Sequence, residues 1–153
     1  MIVEYAKVRG TARQPERANP SDAGLDVFYS PENPHSKMHI ATNSSRVIPT
    51  GLKFAIPHGY MLEVKNRSSV AAQRQLLVGA CVIDSGYEGE VFVNLHNIGV
   101  ESQVVVPGDK IAQLVMTPVV NFRPLETSEE TLYDHPMTIS NRGDGALGST
   151  DGQ

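Results

Sequence analysis

The chain has 153 residues, 40% of them hydrophobic, which is enough for one domain with a real core and too short for two comfortable ones. Its 13 lysines and arginines against 17 aspartates and glutamates give a net charge of −4 with no basic block, excluding a nucleic-acid or membrane-surface binder held by bulk electrostatics. A lone cysteine, Cys81, excludes an internal disulfide and any cysteine-based zinc cluster.

The 13 glycines and 10 prolines are spread along the length and punctuate short apolar runs, the pattern of an all-β protein. The opening "MIVEYAKVRG" carries no apolar stretch behind a basic start, and no run approaches membrane-spanning length. The expectation is a soluble protein of the cytoplasm, the host's if the source is viral. Strands are predicted over residues 2–8, 25–29, 37–40, 52–56, 61–65, 76–83, 91–96, 102–106, 110–116 and 119–122, separated by turn signals such as "IPTG", "IPHG", "NIG" and "VPGD". Within "EVFVNLH", Val91, Val93 and Leu95 alternate with Phe92, Asn94 and His96, so one face is more apolar than the other. Many short strands spaced in this way predict a sandwich or jelly roll.

Only "RSSVAAQRQL" reads as helical, with Ser68 or Ser69 placed to cap it and alanines behind. His35 and His39 flank "SKM" in a proline-flanked loop, where no helix aligns them, and are expected to be solvated. "TSEETLYD" has capping-box spacing from Thr127 to Glu130 but is expected to be a turn or connector.

Two stretches hold chemistry-bearing residues. In "CVIDSGYEGE", residues 81–90, Asp84 ends an apolar run and Tyr87 stands between glycines. Ordinary turn chemistry explains this as a strand end, a tight hairpin at Gly86 and a return strand from Glu90. In "NRGDGALGSTDGQ", four glycines in the eleven residues from Arg142 to Gly152 argue against a packed strand. The same glycines let successive amides face one anion, while Arg142, Ser149 and Thr150 add donors, so the tail could close over a phosphate. It lacks the Gly-Lys-Ser/Thr ending of a P-loop.

Five motifs in order resemble the trimeric dUTPase family: "AGLDV" (23–27), "NRSSV" (66–70), "CVIDSGYEGEV" (81–91), "GDKIAQLV" (108–115) and "RGDGALGST" (142–150). The resemblance implies a distorted β jelly roll, or β-clip barrel, over residues 1–141 and a C-terminal arm over 142–153. It implies hydrolysis of dUTP to dUMP and pyrophosphate by in-line attack of water on the α-phosphorus, which limits uracil in DNA and supplies dUMP for thymidylate. It also implies a homotrimer whose sites borrow residues from all three chains.

By the same resemblance, Asp84 is the general base for the attacking water, a role suited to a carboxylate ionised at neutral pH. Tyr87 would pack beneath the deoxyribose and leave no room for a 2′-hydroxyl. Backbone around Val78, Cys81 and Ile83 would read the uracil edge. Ser68, beside Arg67, would contact the α–β bridging region, with Arg67 and Ser69 also binding substrate, and Gln113 would reach the phosphate near the attacked phosphorus. Asp26 would help hold Mg²⁺ through a coordinated water, with the ion bound mainly by triphosphate oxygens. Arg142 would act as an arginine finger on the γ-phosphate beside Gly148, Ser149 and Thr150, with Leu147 over the base.

The chain departs from the family pattern at Cys81, where glycine is usual, at Asn66 and Ser69 around Arg-Ser, and at Ala146, Leu147 and Asp151 in the tail. Leucine shields a base without stacking on it, so weaker base clamping with intact chemistry is expected. The connector 116–141 is long for the family. A dCTP deaminase shares this fold and an "RSS" segment, but its catalytic glutamate position holds Asn94, which cannot carry the proton. A regulatory role toward a protein partner is the reading from a different class.

Overall fold

The computed structural model describes residues 1–135, 143–145 and 147. Two units are distinct, Met1–Asn121 and Phe122–Gln153. All the strands among the described residues lie in the first. They are β1 (Tyr5–Lys7), β2 (Leu25–Phe28), β3 (Met38–Ile40), β4 (Ser45–Pro49), β5 (Leu52–Phe54) and β6 (Tyr60–Lys65), then, after helix α1 (Ser68–Arg74), β7 (Leu76–Val78), β8 (Val82–Asp84), β9 (Phe92–Asn97), β10 (Gln103–Val105) and β11 (Lys110–Pro118). They pair antiparallel into a four-stranded sheet β2-β11-β6-β8, a three-stranded sheet β4-β9-β7, and two-stranded sheets β1-β5 and β10-β3. This is the all-β jelly roll that the strand pattern predicted. Among the described residues no helix is long and apolar enough to cross a membrane.

The alternation in β9 holds: Val93, Leu95 and the preceding Val91 are buried, while Phe92 and His96 face out. Ile40, Ile48, Leu52, Leu76 and Ile111 meet the same core from other strands. A polar residue is built into it at the end of β9. Asn97 is buried, donates to the carbonyls of Ile40 at 3.0 Å and Glu101 at 2.7 Å, and accepts from Gly99 N at 2.9 Å. One amide side chain thus ties β9 to β3 and closes the "NIG" turn.

Several expectations need correction. The apolar run 76–83 is not one strand: β7 joins β9 in one sheet and β8 joins β6 in another, with Gly79, Ala80 and Cys81 carrying the chain between them. Consequently β8 and β9 are not a hairpin, and the turn at Gly86 leads from sheet to sheet. The strand predicted over 119–122 does not form, because β11 extends through Pro118 and Val120 and Phe122 are exposed. β4 was not predicted, since only Ile48 of "SRVIP" is fully buried and no alternation shows. The helix begins at Ser68 behind Arg67, and the N-cap makes no side-chain bond, so neither Ser68 nor Ser69 caps it. In the second unit, the expected turn forms through Thr131 N to Ser128 O at 3.2 Å. His35 and His39 are exposed as expected.

Replacing Asn97 by alanine leaves the buried Gly99 amide without its acceptor and takes a donor from the carbonyls of Ile40 and Glu101. It should lower the unfolding free energy by about 2–4 kcal/mol, seen as a fall in the urea midpoint without a change in slope.

Candidate active site

β11 organises one half of the site. Its register against β2 is interrupted between Lys110 and Ala112, a bulge that lets Ile111 and Ala112 both enter the core. The extra residue also brings Lys110 onto the same face as Gln113, whereas strict alternation would put them on opposite faces. Gln113 lies opposite Asp26 on one side and Lys65 on the other. Its side chain donates through Nε2 to Asn66 O at 2.9 Å and packs against Gly24, where an added Cβ would stand 2.9 Å from Gln113 Cβ. Only glycine fits at that position of "AGLDV".

Asp26 is buried beside this row and holds two cations. Its Oδ1 accepts from Arg67 Nε at 2.8 Å and its Oδ2 from Lys110 Nζ at 2.9 Å. Arg67 is therefore drawn back at the N-cap of α1, and the exposed Ser68 and Ser69 stand next to it with no capping duty. The trio Asp26, Arg67 and Lys110 is net positive, which suits an anion. The described residues gather no group of three or more His, Cys, Asp and Glu side chains able to hold a metal ion. With both oxygens committed to cations, Asp26 fits contact with the water shell of a hydrated ion and not direct coordination.

The other half surrounds β8. A cavity of about 200 Å³ is lined by Cys81, Ile83, Asp84, Tyr87 and Phe92, among others. Asp84 is exposed at the end of β8, and among the described residues its carboxylate has no hydrogen-bond or ion-pair partner. The backbone then turns through Gly86 at φ +89, with Tyr87 N donating to Asp84 O at 3.2 Å. The left-handed φ explains glycine here. Tyr87 is 45% exposed, and its hydroxyl donates back to Glu90 O at 2.8 Å. Val78 does not line this cavity; its amide is taken by Asn66 Oδ1 at 2.8 Å. Asn94 braces the neighbouring chain by accepting from Ala80 N at 3.3 Å and contacting His96 Nε2 at 3.0 Å. A wider cleft of about 780 Å³ opens between β1, β5 and residues 86–88, touching Tyr87 but not Asp84.

The two halves are separate within one chain. Asp84 faces Met61 across β8–β6, and Gln113 faces Lys65 across β6–β11. Four residues along β6 and two strand spacings put the two backbones about 16 Å apart. Arg142, Gly148, Ser149 and Thr150 lie outside the described residues, and the Leu147 side chain is fully exposed.

The dUTPase family pattern matches residues 11–150 of the chain. The chain belongs to the dUTPase family. It is 34% identical over 148 residues, 95% of this chain and 96% of the relative, to the deoxyuridine 5′-triphosphate nucleotidohydrolase of Chlamydia trachomatis serovar L2. It is 39% identical over 138 residues, 89% and 87% of the two chains, to that of Gloeobacter violaceus. Its fold is similar to a Staphylococcus bacteriophage 80alpha dUTPase with dUpNHpp, at a TM-score of 0.81, 24% identity and coverage of 97% and 98%. A phage phi11 dUTPase described with a structural Mg(II) ion is similar at a TM-score of 0.76, 24% identity and coverage of 86% and 99%.

Lys110 and Asn66 sit inside the dUTPase motifs, yet sequence reasoning gave neither a role. The lysine could have been found from the bulge only if register were legible in sequence. Because one carboxylate serves two cations, Asp26→Asn should destabilise the fold more than either Arg67→Met or Lys110→Met. The expected loss is about 1–3 kcal/mol for Asp26→Asn, reduced from buried-pair values because both cations are partly solvated, and is measured by urea unfolding.

Proposed function

We propose that this chain hydrolyses dUTP to dUMP and pyrophosphate in the cytoplasm; the relatives it matches are deoxyuridine 5′-triphosphate nucleotidohydrolases, which supports the substrate. The observation that carries the reading is the pocket joining Tyr87 to Asp84, which has no side-chain partner among the described residues, in a chain whose separate net-positive row includes Asp26, Arg67 and Lys110. A base lying along Cys81–Ile83 with its sugar on the Tyr87 ring directs the α-phosphate toward Asp84. Asp84 accepts a proton from water as the water oxygen bonds to the α-phosphorus. The bond from that phosphorus to the α–β bridging oxygen breaks, and pyrophosphate leaves with the electron pair. Donors from Ser68, Gln113, Arg67 and the Arg142 arm with Gly148, Ser149 and Thr150 take up the developing charge.

Asp26 would accept from the water shell of a hydrated Mg²⁺, which, when bound with the substrate, would supply charge neutralisation at the phosphate oxygens.

The proposed assembly follows from distance. The water held by Asp84 and the phosphorus it attacks must meet within near-attack range, about 3–3.5 Å, whereas one chain sets the backbones of Asp84 and Gln113 about 16 Å apart. A second copy supplying the cationic row to the first copy's pocket resolves this, and the homotrimer implied by the motifs supplies a third chain for the arm. With dUTP bound across these contacts, the uracil edge meets main chain, and Asn94, an amide braced by Ala80 and His96, offers no proton carrier for deamination.

Pyrophosphate release from dUTP, with dCTP, dTTP and UTP in parallel, tests the reading. Asp84→Asn should lower kcat by about 10²–10⁴-fold with dUTP still bound, since the amide retains the shape and loses the proton acceptor. Ammonia released from dCTP, or no product from dUTP, would contradict it.

A further inference from the structure

Tyr87 stands on a short turn, and something outside that turn must fix it. Glu90 does so from below. Its carboxylate accepts Arg9 Nη1 at 2.7 Å, Arg9 Nη2 at 2.5 Å and Gly51 N at 2.7 Å. Arg9 Nη1 also donates to Ser30 O at 2.9 Å, so the guanidinium is held from two sides. Hydrogen bonding to Glu90 raises the arginine's pKa above its ordinary value, and both side chains are partly buried. The surrounding backbone is closed as well: Val8 N donates to Gly51 O at 2.8 Å and Val91 N to Leu52 O at 2.8 Å.

From this fixed point the tyrosine is tied back twice. Its hydroxyl donates to the main-chain carbonyl of Glu90, and its ring lies over Gly89, where an added Cβ would stand 2.5 Å from the hydroxyl oxygen and 2.6 Å from Cζ. The phenol is therefore spent inside the protein, and the ring face is what a ligand meets.

We propose that the Arg9–Glu90 pair is the positioning element for Tyr87, so that Arg9, outside all five motifs, sets sugar discrimination without touching substrate. The proposal rests on the functional reading above for its ligand, and on geometry alone for the clamp. A two-pronged carboxylate contact needs a planar fork, which lysine cannot supply.

The test uses the full chain carrying Arg9→Met, Arg9→Lys, Tyr87→Phe or both Arg9→Met and Tyr87→Phe, with steady-state kinetics on dUTP and UTP. Arg9→Met should reduce the ratio of kcat/KM for dUTP over UTP about tenfold or more, mainly through KM for dUTP, and Arg9→Lys should recover little of it. Tyr87→Phe should cost similarly, and the double variant should be no worse than either alone, because both remove one linkage. An unchanged dUTP/UTP ratio in a folded Arg9→Met protein, or losses that add in the double variant, would overturn the proposal.

Hydrogen exchange at the amides of residues 85–90 reads the clamp without turnover. Exchange there should quicken in Arg9→Met while β9 stays protected, and unchanged exchange would overturn the clamp. Should Arg9→Met fail to fold, Glu90→Gln carries the same comparisons, since it keeps shape and loses the charge. A wild type inert toward dUTP would overturn the functional reading alone, and the exchange result would still decide the clamp.

Discussion

The register of β11 is the constraint on which the site depends. One strand pairs with β2 and β6 at once, and a single bulge after Lys110 aligns Lys110, Gln113 and Asp26 on one face. A slip of one residue would send Gln113 into the core and Ile111 or Leu114 into the phosphate row. The bulge thus couples packing to chemistry: it lets two consecutive apolar residues be buried and still delivers the polar ones to solvent. Asp26 then makes the arrangement electrostatically stable, since a carboxylate between two cations leaves their shared face positive without leaving either unpaired.

The same register separates the row from Asp84, because β6 lies between them and the two contacts sit at its opposite ends. A rigid sheet cannot bend through such a gap, which is why the proposed chemistry takes its second half from another copy of the chain. The site sharing proposed for this chain is, on this view, a consequence of where a jelly roll places two strand ends. The turn carrying Tyr87 meets the same demand from its own side: it projects from the sheet and is stiffened from below by Glu90 and Arg9, so that a ligand finds a ring already in place.

Much of this was legible in the sequence. Short apolar runs between turn residues gave the all-β class, and strict alternation gave the inner face of β9. Local spacing alone read Asp84 and Tyr87 as an ordinary turn, and only the ordered set of five motifs singled them out; the structure lines one cavity with both. What failed was whatever depends on distant partners. Residues 76–83 carry no signal that strands on different sheets meet at Gly79–Cys81, and β4 has too few inward side chains to show a period. Ser68 looked like a cap from its neighbours, but the Asp26 contact that holds Arg67 lies 41 positions away in sequence. Lys110, Arg9 and Glu90 were missed for the same reason: an ion pair across 81 positions has no local period.

The shared site is the central claim, and subunit mixing tests it most directly. Asp84→Asn chains and Arg67→Met chains, each inactive alone, would be unfolded together, refolded as mixed oligomers and assayed for pyrophosphate release from dUTP. A site built from the pocket of one copy and the cationic row of another predicts that activity returns in the mixture, since some sites then receive both intact halves. A mixture no more active than its separate parents, with mixed oligomers shown to be present, would place both halves in one chain and contradict the account.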